Sequence, residues 1–161
     1  MAKNLFDILE GAAEGTVDAK NRITVPTKFR EAFENERLVL WGPKDKHAPC
    51  LILATREEFG RIFDREYSRA TPQQQERVMR RFQVGRESVD LDKNARFVLP
   101  PRFFAKTGIR AEEKVFFIGC CTYLEIWALE AWDKLQDGDD DFAPNFAPDP
   151  EWLRSAMAGD S

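Results

Sequence analysis

The nine residues Asp18-Ala19-Lys20-Asn21-Arg22-Ile23-Thr24-Val25-Pro26 return 74 positions later as Asp92-Lys93-Asn94-Ala95-Arg96-Phe97-Val98-Leu99-Pro100. In each copy an acid opens a turn and an arginine stands four places on. A short strand with an apolar centre follows, and a proline that cannot donate to a ladder stops it. The likeness runs further: Leu51-Ile52-Leu53-Ala54-Thr55-Arg56-Glu57-Glu58-Phe59 is echoed at an offset of 73 by Leu124-Glu125-Ile126-Trp127-Ala128-Leu129-Glu130-Ala131-Trp132, each a strand running into a helix. A period above 70 residues exceeds the roughly 20–50 of stacked repeat units, so the chain reads as one internally duplicated domain whose halves share a core. Each copy aims the same charged tip out of the same local geometry, and duplicated basic tips suit a periodic polyanion.

A chain of 161 residues with 43% hydrophobic content, 13 Phe and 4 Trp can fill such a core. No apolar run approaches the roughly 18–20 residues of a membrane span, and Met1 to Gly15 carries acids where a signal peptide is basic and then apolar. The expected location is cytoplasmic, with no membrane partner. Three cysteines, Cys50, Cys120 and the adjacent Cys121, fit neither a disulfide framework nor a CxxC metal knuckle; they read as small buried hydrophobes on strands. The single histidine, His47, lies in a loop rich in Pro, Lys and Asp and reads as solvated. No metal, cofactor or small-molecule substrate is expected.

The formal net charge of -4 averages two unlike parts: residues 1–110 carry 21 Lys+Arg against 16 Asp+Glu, residues 111–161 carry 3 against 12. A polyanion meets the local patch within about a Debye length of ~10 Å, not the average, so an acidic chain with a basic body remains compatible with DNA.

Pattern and punctuation predict a mixed α and β fold. Residues 1–10 read as loose, with strand pairing starting near Gly15-Thr16-Val17. Asp18 to Asn21 turns, Arg22 to Val25 alternates as a half-buried strand, and Phe29 and Phe33 mark a short helix over 27–33. Leu38 to Trp41 and Cys50 to Leu53 read as strands buried on both faces, followed by a helix carrying Phe59, Ile62, Phe63 and Tyr67 on one side. Thr71, Pro72, Gln74 and Gly85 punctuate a helix over 72–84 with a capping box. The second half repeats the order, with strands at 88–91, 97–99, 115–118 and 123–127, a helical turn near Phe103-Phe104, and a helix to Leu135. From Gln136 the composition turns to Asp, Gly, Pro and Ala and predicts disorder, relieved by a docked turn at Trp152-Leu153.

In each turn the carboxylate can accept backbone N–H groups and fix the loop, while the arginine presents a rigid fork of donors suited to phosphate or a guanine edge. Asp18 and Asp92 are the shapers; Arg22 and Arg96, with Lys20 and Lys93 on the tips, are the contacts. The competing reading of one such pair is a hairpin closure. Arg77, Arg80 and Arg81 form a stripe on the 72–84 helix with Arg86 just beyond; together with Lys28 and Arg30 they are secondary basic candidates, the stripe serving equally well as a solvated face or a subunit contact. Catalysis by Asp18 and Asp92 finds no support, since no nucleophile–base set, metal spacing or phosphate loop accompanies them, and no catalytic residue is assigned.

The paired Asp-x-x-x-Arg-x-x-x-Pro turns, the Pro49-Cys50-Leu51-Ile52-Leu53 strand, the Pro72 to Gly85 helix, Leu124-Glu125-Ile126-Trp127 and Trp132 together resemble the MraZ family, bacterial transcriptional regulators built from two swapped-hairpin units of the SpoVT/AbrB type. The resemblance spans about residues 10–135. It implies an α+β fold in which two tandem SpoVT/AbrB-like units form one pseudo-dimeric, double-ψ-like β-barrel with flanking helices. The corresponding division is a first repeat at 10–70, a connecting helix at 71–86, a second repeat at 87–135 and an acidic tail at 136–161. The resemblance further implies a ring-shaped homo-oligomer, localised to the nucleoid, that binds direct repeats upstream of the division and cell-wall gene cluster, chiefly as a repressor. The alternative is a ring-forming scaffold without specific DNA binding. Position by position it assigns Lys20, Arg22 and Arg96 to DNA, with Lys93 one place out of the first turn's lysine register. The family pattern has Gly before each Arg, where Asn21 and Ala95 stand here. Asn tolerates positive φ and Ala does not, so the second loop is expected either to differ in shape or to be strained.

Overall fold

Alternation decides which face of a strand is buried but leaves its partner open, and here the opening strands of each half find their partners in the opposite half of the chain. The computed structural model describes residues 9–138. In order these are β1 (Ala12–Thr16), β2 (Arg22–Thr24), α1 (Thr27–Phe33), β3 (Leu38–Trp41), β4 (Leu51–Thr55), α2 (Arg56–Arg69), α3 (Pro72–Val84), β5 (Arg86–Val89), β6 (Arg96–Val98), a 3-10 turn (Pro101–Phe103), α4 (Phe104–Thr107), β7 (Lys114–Gly119), β8 (Leu124–Ala128) and α5 (Leu129–Gly138). Six strands form an antiparallel sheet in the order β1-β7-β8-β4-β3-β5, and β2 pairs with β6 in a separate two-stranded ribbon. Exchanging the halves, β1 for β5, β3 for β7 and β4 for β8, reproduces that order in reverse. Neither opening strand has a partner in its own half, since β1 pairs with β7 and β5 with β3.

The pseudo-twofold axis passes through two cross-half pairs, Ile52 opposite Glu125 in the large sheet and Ile23 opposite Phe97 in the ribbon. Ladder bonds beyond the ribbon obey the same symmetry: Val25 N donates to Ala95 O at 2.8 Å and Leu99 N to Asn21 O at 2.7 Å. The hydrogen-bond ladders thus describe an open six-stranded sheet and a ribbon.

One core lies between them. Leu38, Leu40, Leu51, Leu53, Val115, Phe117, Leu124 and Ile126 project from the sheet to meet Val17, Ile23, Val25, Phe97 and Leu99 from the ribbon and its flanks, with Phe29 and Phe33 of α1 closing the side. Burying each large side chain contributes about 1.5–3 kcal/mol. Because a strand alternates, slipping the ribbon by one residue would drive Arg22 and Arg96 into this interior, so burial of Ile23 and Phe97 enforces the register.

A second cluster covers the other face of the sheet, where Val39, Trp41, Ile52 and Ala54 pack beneath Phe59 of α2 and Phe82 of α3. Trp41 and Phe82 stack at 4.9 Å between centroids. The capping box predicted for α3 is present: Gln74 N donates to Thr71 Oγ1 at 3.3 Å and Thr71 N to Gln74 Oε1 at 3.0 Å. On the same face Glu125 is held by Lys44 Nζ at 2.8 Å and Trp127 Nε1 at 3.0 Å. Burial opposes the charge on Lys44, but its bond to Glu125 prevails and raises its pKa above the ordinary lysine value.

Several expectations are corrected. Cys50 is buried just before β4, but Cys120 and Cys121 are half-buried in the β7–β8 turn, where Cys121 adopts φ 70°. That turn carries neither Gly nor Asn at its positive-φ position, so it lacks the usual sequence signal. Burial still pushes the Cys120 thiol up to about 12. Leu9 belongs to the core instead of a loose leader, and its backbone lies so close to Gly119 that a Cβ there would stand 2.6 Å from the Leu9 carbonyl carbon. β1 starts at Ala12 and β5 at Arg86, and α5 continues to Gly138 past the expected change at Gln136. The remainder of the acidic tail, including Trp152-Leu153, lies outside the described residues.

Candidate nucleic-acid interface

Each repeated turn is built by its own aspartate. Asp18 Oδ1 accepts Lys20 N and Arg22 N, both at 2.8 Å, while Oδ2 accepts Arg22 Nε at 2.7 Å. Asp92 does the same, with Asn94 N at 2.8 Å, Arg96 N at 2.9 Å and Arg96 Nε at 2.9 Å. The backbone closes both loops, Asp18 N to Arg22 O at 3.0 Å and Asp92 N to Arg96 O at 2.9 Å. Donation from the Arg22 backbone N–H, then from its side chain and the Lys20 N–H, outweighs desolvation and holds the Asp18 carboxyl below the usual carboxylate range. The Arg96 N–H leads the same effect on Asp92, followed by the Asn94 N–H and the Arg96 side chain.

Asn21 and Ala95 stand at φ 63° and 59°, so the two loops share one shape. Of the two outcomes expected for Ala95, the loop keeps its form and the residue carries the strain. Left-handed backbone costs a residue with a Cβ roughly 1–2 kcal/mol.

The ribbon register brings the two arginines together. Arg22 lies opposite Val98 and Thr24 opposite Arg96, all four on the face away from the buried Ile23 and Phe97. Arg22 and Arg96 are therefore diagonal neighbours, roughly 7–8 Å apart along such a pair. Their side chains are 31% and 29% exposed. Among the described residues each uses Nε for its aspartate, leaving the Nη groups without a protein acceptor. Lys20 and Lys93 are exposed on the tips; Lys93 corresponds to Ala19 across the axis, Lys20 to Asn94. Each tip, with one acid, one lysine and one arginine, keeps a net positive charge.

The secondary candidates divide between the two sides of the sheet. Lys28 and Arg30 belong to α1 on the ribbon side; Lys28 Nζ reaches Ala12 O at 3.4 Å and Arg30 Nε donates to Val25 O at 2.9 Å. The rest lie across the sheet from the ribbon. Arg81 stacks over Trp41 and donates to the carbonyls of Pro43 and Lys44, Arg86 lies over Phe59, Arg80 pairs with Glu76 at 3.2 Å, and Arg77 is exposed on α3. Sequence reasoning passed over Thr24 and Val98, since only the cross-half register brings them beside the arginines. It also passed over Arg102, the counterpart of Lys28, which donates to Val84 O at 2.7 Å and pairs with Glu87 at 2.9 Å. Among the described residues no group of His, Cys, Asp and Glu could hold a metal ion, and no helix is long and apolar enough to cross a membrane.

Comparison with known proteins matches residues 8–82 and 82–151 to the family described as "MraZ protein, putative antitoxin-like". A protein named Transcriptional regulator MraZ from a Thermoanaerobacter species is 31% identical over 134 residues, covering 83% of this chain and 90% of its own. Proteins of the same name from Hydrogenovibrio crunogenus and Bacteroides fragilis are 30% identical over 146 residues (89% and 86% covered) and 31% identical over 130 residues (78% and 80% covered). With two matched repeats and relatives aligned over most of its length, the chain belongs to the MraZ family, a family of transcriptional regulators and not of enzymes.

Proposed function

We propose that this chain is a sequence-specific DNA-binding regulator whose contact surface is the exposed face of the β2–β6 ribbon. The observation that carries the reading is the pair of aspartate-buttressed arginines sharing that face, each with its Nη groups unpaired among the described residues. A two-stranded ribbon fits the major groove, where an arginine fork matches the O6 and N7 of guanine. Lys20 and Lys93 neutralise flanking phosphates, and Lys28 and Arg30 widen the positive field. Asp18, Asn21, Asp92 and Ala95 give the loops their shape. In this reading the ribbon closes the large sheet into a pseudo-dimeric, double-ψ-like barrel, and the chain divides into repeats at 10–70 and 87–135 joined by the 71–86 helix.

In this reading the targets are direct repeats upstream of the division and cell-wall gene cluster, the action is repression, and the location is the cytoplasm and its nucleoid, as the resemblance in the sequence implies. Repeated sites call for several ribbons at once, supplied by a ring-shaped homo-oligomer. One observation favours α3 as its subunit contact: Met79 and Val84 are exposed there, across the sheet from the ribbon, beside Arg77 and Arg80. If the protein were a scaffold alone, substitutions in α3 would dissociate the ring and DNA would not be retained.

The test is a mobility shift with the region upstream of the chain's own gene. Arg22→Ala is expected to lose most of the affinity while light scattering reports an intact assembly. Unchanged affinity would overturn the assignment.

A further inference from the structure

The arginines of the ribbon obey its pseudo-twofold axis, but the two residues between them do not. Thr24 and Val98 occupy equivalent places, one opposite Arg96 and the other opposite Arg22. Val98 is 58% exposed. The other two exposed large hydrophobics among the described residues, Met79 and Val84, lie on α3 across the sheet. A lone exposed valine is ordinary on a protein surface. On the outward face of the ribbon this one is flanked by Arg22, Thr24 and Arg96, and its side chain can neither donate nor accept a hydrogen bond.

The major-groove edge offers a single apolar group, the C5 methyl of thymine. We infer that Val98 reads a thymine methyl beside the base or phosphate engaged by Arg22, making it a specificity-determining residue. This inference rests on the DNA-binding reading above. The equivalent place carries the hydroxyl and single methyl of Thr24, so the two halves of the ribbon prefer different bases. A structure twofold in its charges thus acquires a direction on the duplex. The arginines locate the groove, and the Thr24–Val98 difference sets which way round the protein lies.

The test uses the full chain and the duplex it retains, probed by fluorescence anisotropy with each thymine replaced singly by deoxyuridine, which removes only the methyl. Wild type is expected to lose about fourfold in affinity at one thymine per ribbon footprint, the effect of one buried methyl. Val98→Ala is expected to bind the thymine and deoxyuridine duplexes equally at that position, with its thermal melt showing the fold retained. Thr24→Ala should keep the discrimination there. Binding without sensitivity at any thymine, or sensitivity that persists in Val98→Ala, overturns the role of Val98 and leaves the DNA reading standing. Absence of salt-dependent binding to every duplex by wild type sinks the DNA reading, and the role of Val98 with it.

Discussion

Arg22→Lys separates geometry from charge at the ribbon. Asp18 engages the Arg22 backbone at 2.8 Å and its Nε at 2.7 Å, so one side of the guanidinium is tied down while its Nη groups remain for a ligand. A lysine has one ammonium for both tasks. If it pairs with Asp18 it gives up the outward contact; if it reaches DNA, Asp18 keeps only backbone donors. A bidentate contact to a base is worth about 1–3 kcal/mol, and 1.4 kcal/mol is tenfold in affinity, so the expected loss is roughly 5- to 150-fold. The charge is retained, so the dependence of affinity on salt should stay close to that of wild type. Arg22→Ala should instead flatten the slope of log K against log salt by about 0.9 for each phosphate that is no longer neutralised. Anisotropy titrations of the three proteins at several salt concentrations, with thermal melts in parallel, give both quantities. Wild-type affinity for Arg22→Lys at every salt would refute the fork argument and reduce Arg22 to a point charge. Wild-type affinity for Arg22→Ala as well would reduce the motif to hairpin closure. Arg96→Lys should show a loss of similar size, because its aspartate holds it in the same way.

Other consequences are open to measurement. Ala95→Gly relieves a Cβ at φ 59°, and after the conformational cost of glycine a gain of about 0.5–1 kcal/mol remains; Asn21→Gly should gain little because Asn tolerates that region. Thermal melts that show no rise for Ala95→Gly would contradict the strain. Backbone and side-chain N–H donors hold the carboxyls of Asp18 and Asp92 below the ordinary aspartate range, so their contribution to the loops is complete above the unfolded pKa and is lost as pH falls through the lower folded values. Carboxyl NMR titration should place both midpoints below 3.8, with the amides of Lys20, Arg22, Asn94 and Arg96 moving in step; midpoints at or above it would count against the hydrogen-bonded loops. Lys44→Met strands a Glu125 side chain that is 10% exposed, at a cost of about 2 kcal/mol, below the roughly 3–5 kcal/mol typical of fully buried pairs because Lys44 is itself 36% exposed. The double substitution Lys44→Met, Glu125→Met should recover most of that loss in chemical denaturation.

What could be read from the chain before its structure follows from the range of the interactions. The Asp-x-x-x-Arg turns and the capping box of α3 are assembled from hydrogen bonds spanning four residues or fewer, so residue type and spacing suffice to find them. The pairing of β1 with β7 and β5 with β3 depends on contacts about 100 and 50 residues apart, and alternation assigns a face without naming a partner. For the same reason the arginine stripe of α3 and the arginines of the turns could not be told apart as surfaces: a helical wheel and a strand pattern each define a side, and only the sheet between them shows that the sides are opposite. Thr24 and Val98 stayed hidden because neither carries charge or forms a motif. They matter through a register set by Ile23 and Phe97, the two residues on the axis.

Duplication explains why so much of the molecule follows from half of it, and it also indicates where to look for what is particular to this chain. Positions that obey the axis, such as the aspartates, the arginines and the flanking prolines, supply a common frame. Positions that break it carry independent physical consequences. Asn21 against Ala95 makes one loop more strained than the other. Ile52 against Glu125 places a buried carboxylate at the centre of one sheet face and requires Lys44 to hold it. Thr24 against Val98 gives unlike surfaces to a ribbon that is otherwise twofold. A duplex read through matched charges alone could be approached in either direction, whereas unlike central residues favour one. The information for orientation therefore resides in the departures from the repeat, and the deoxyuridine scan measures the one that faces the proposed ligand.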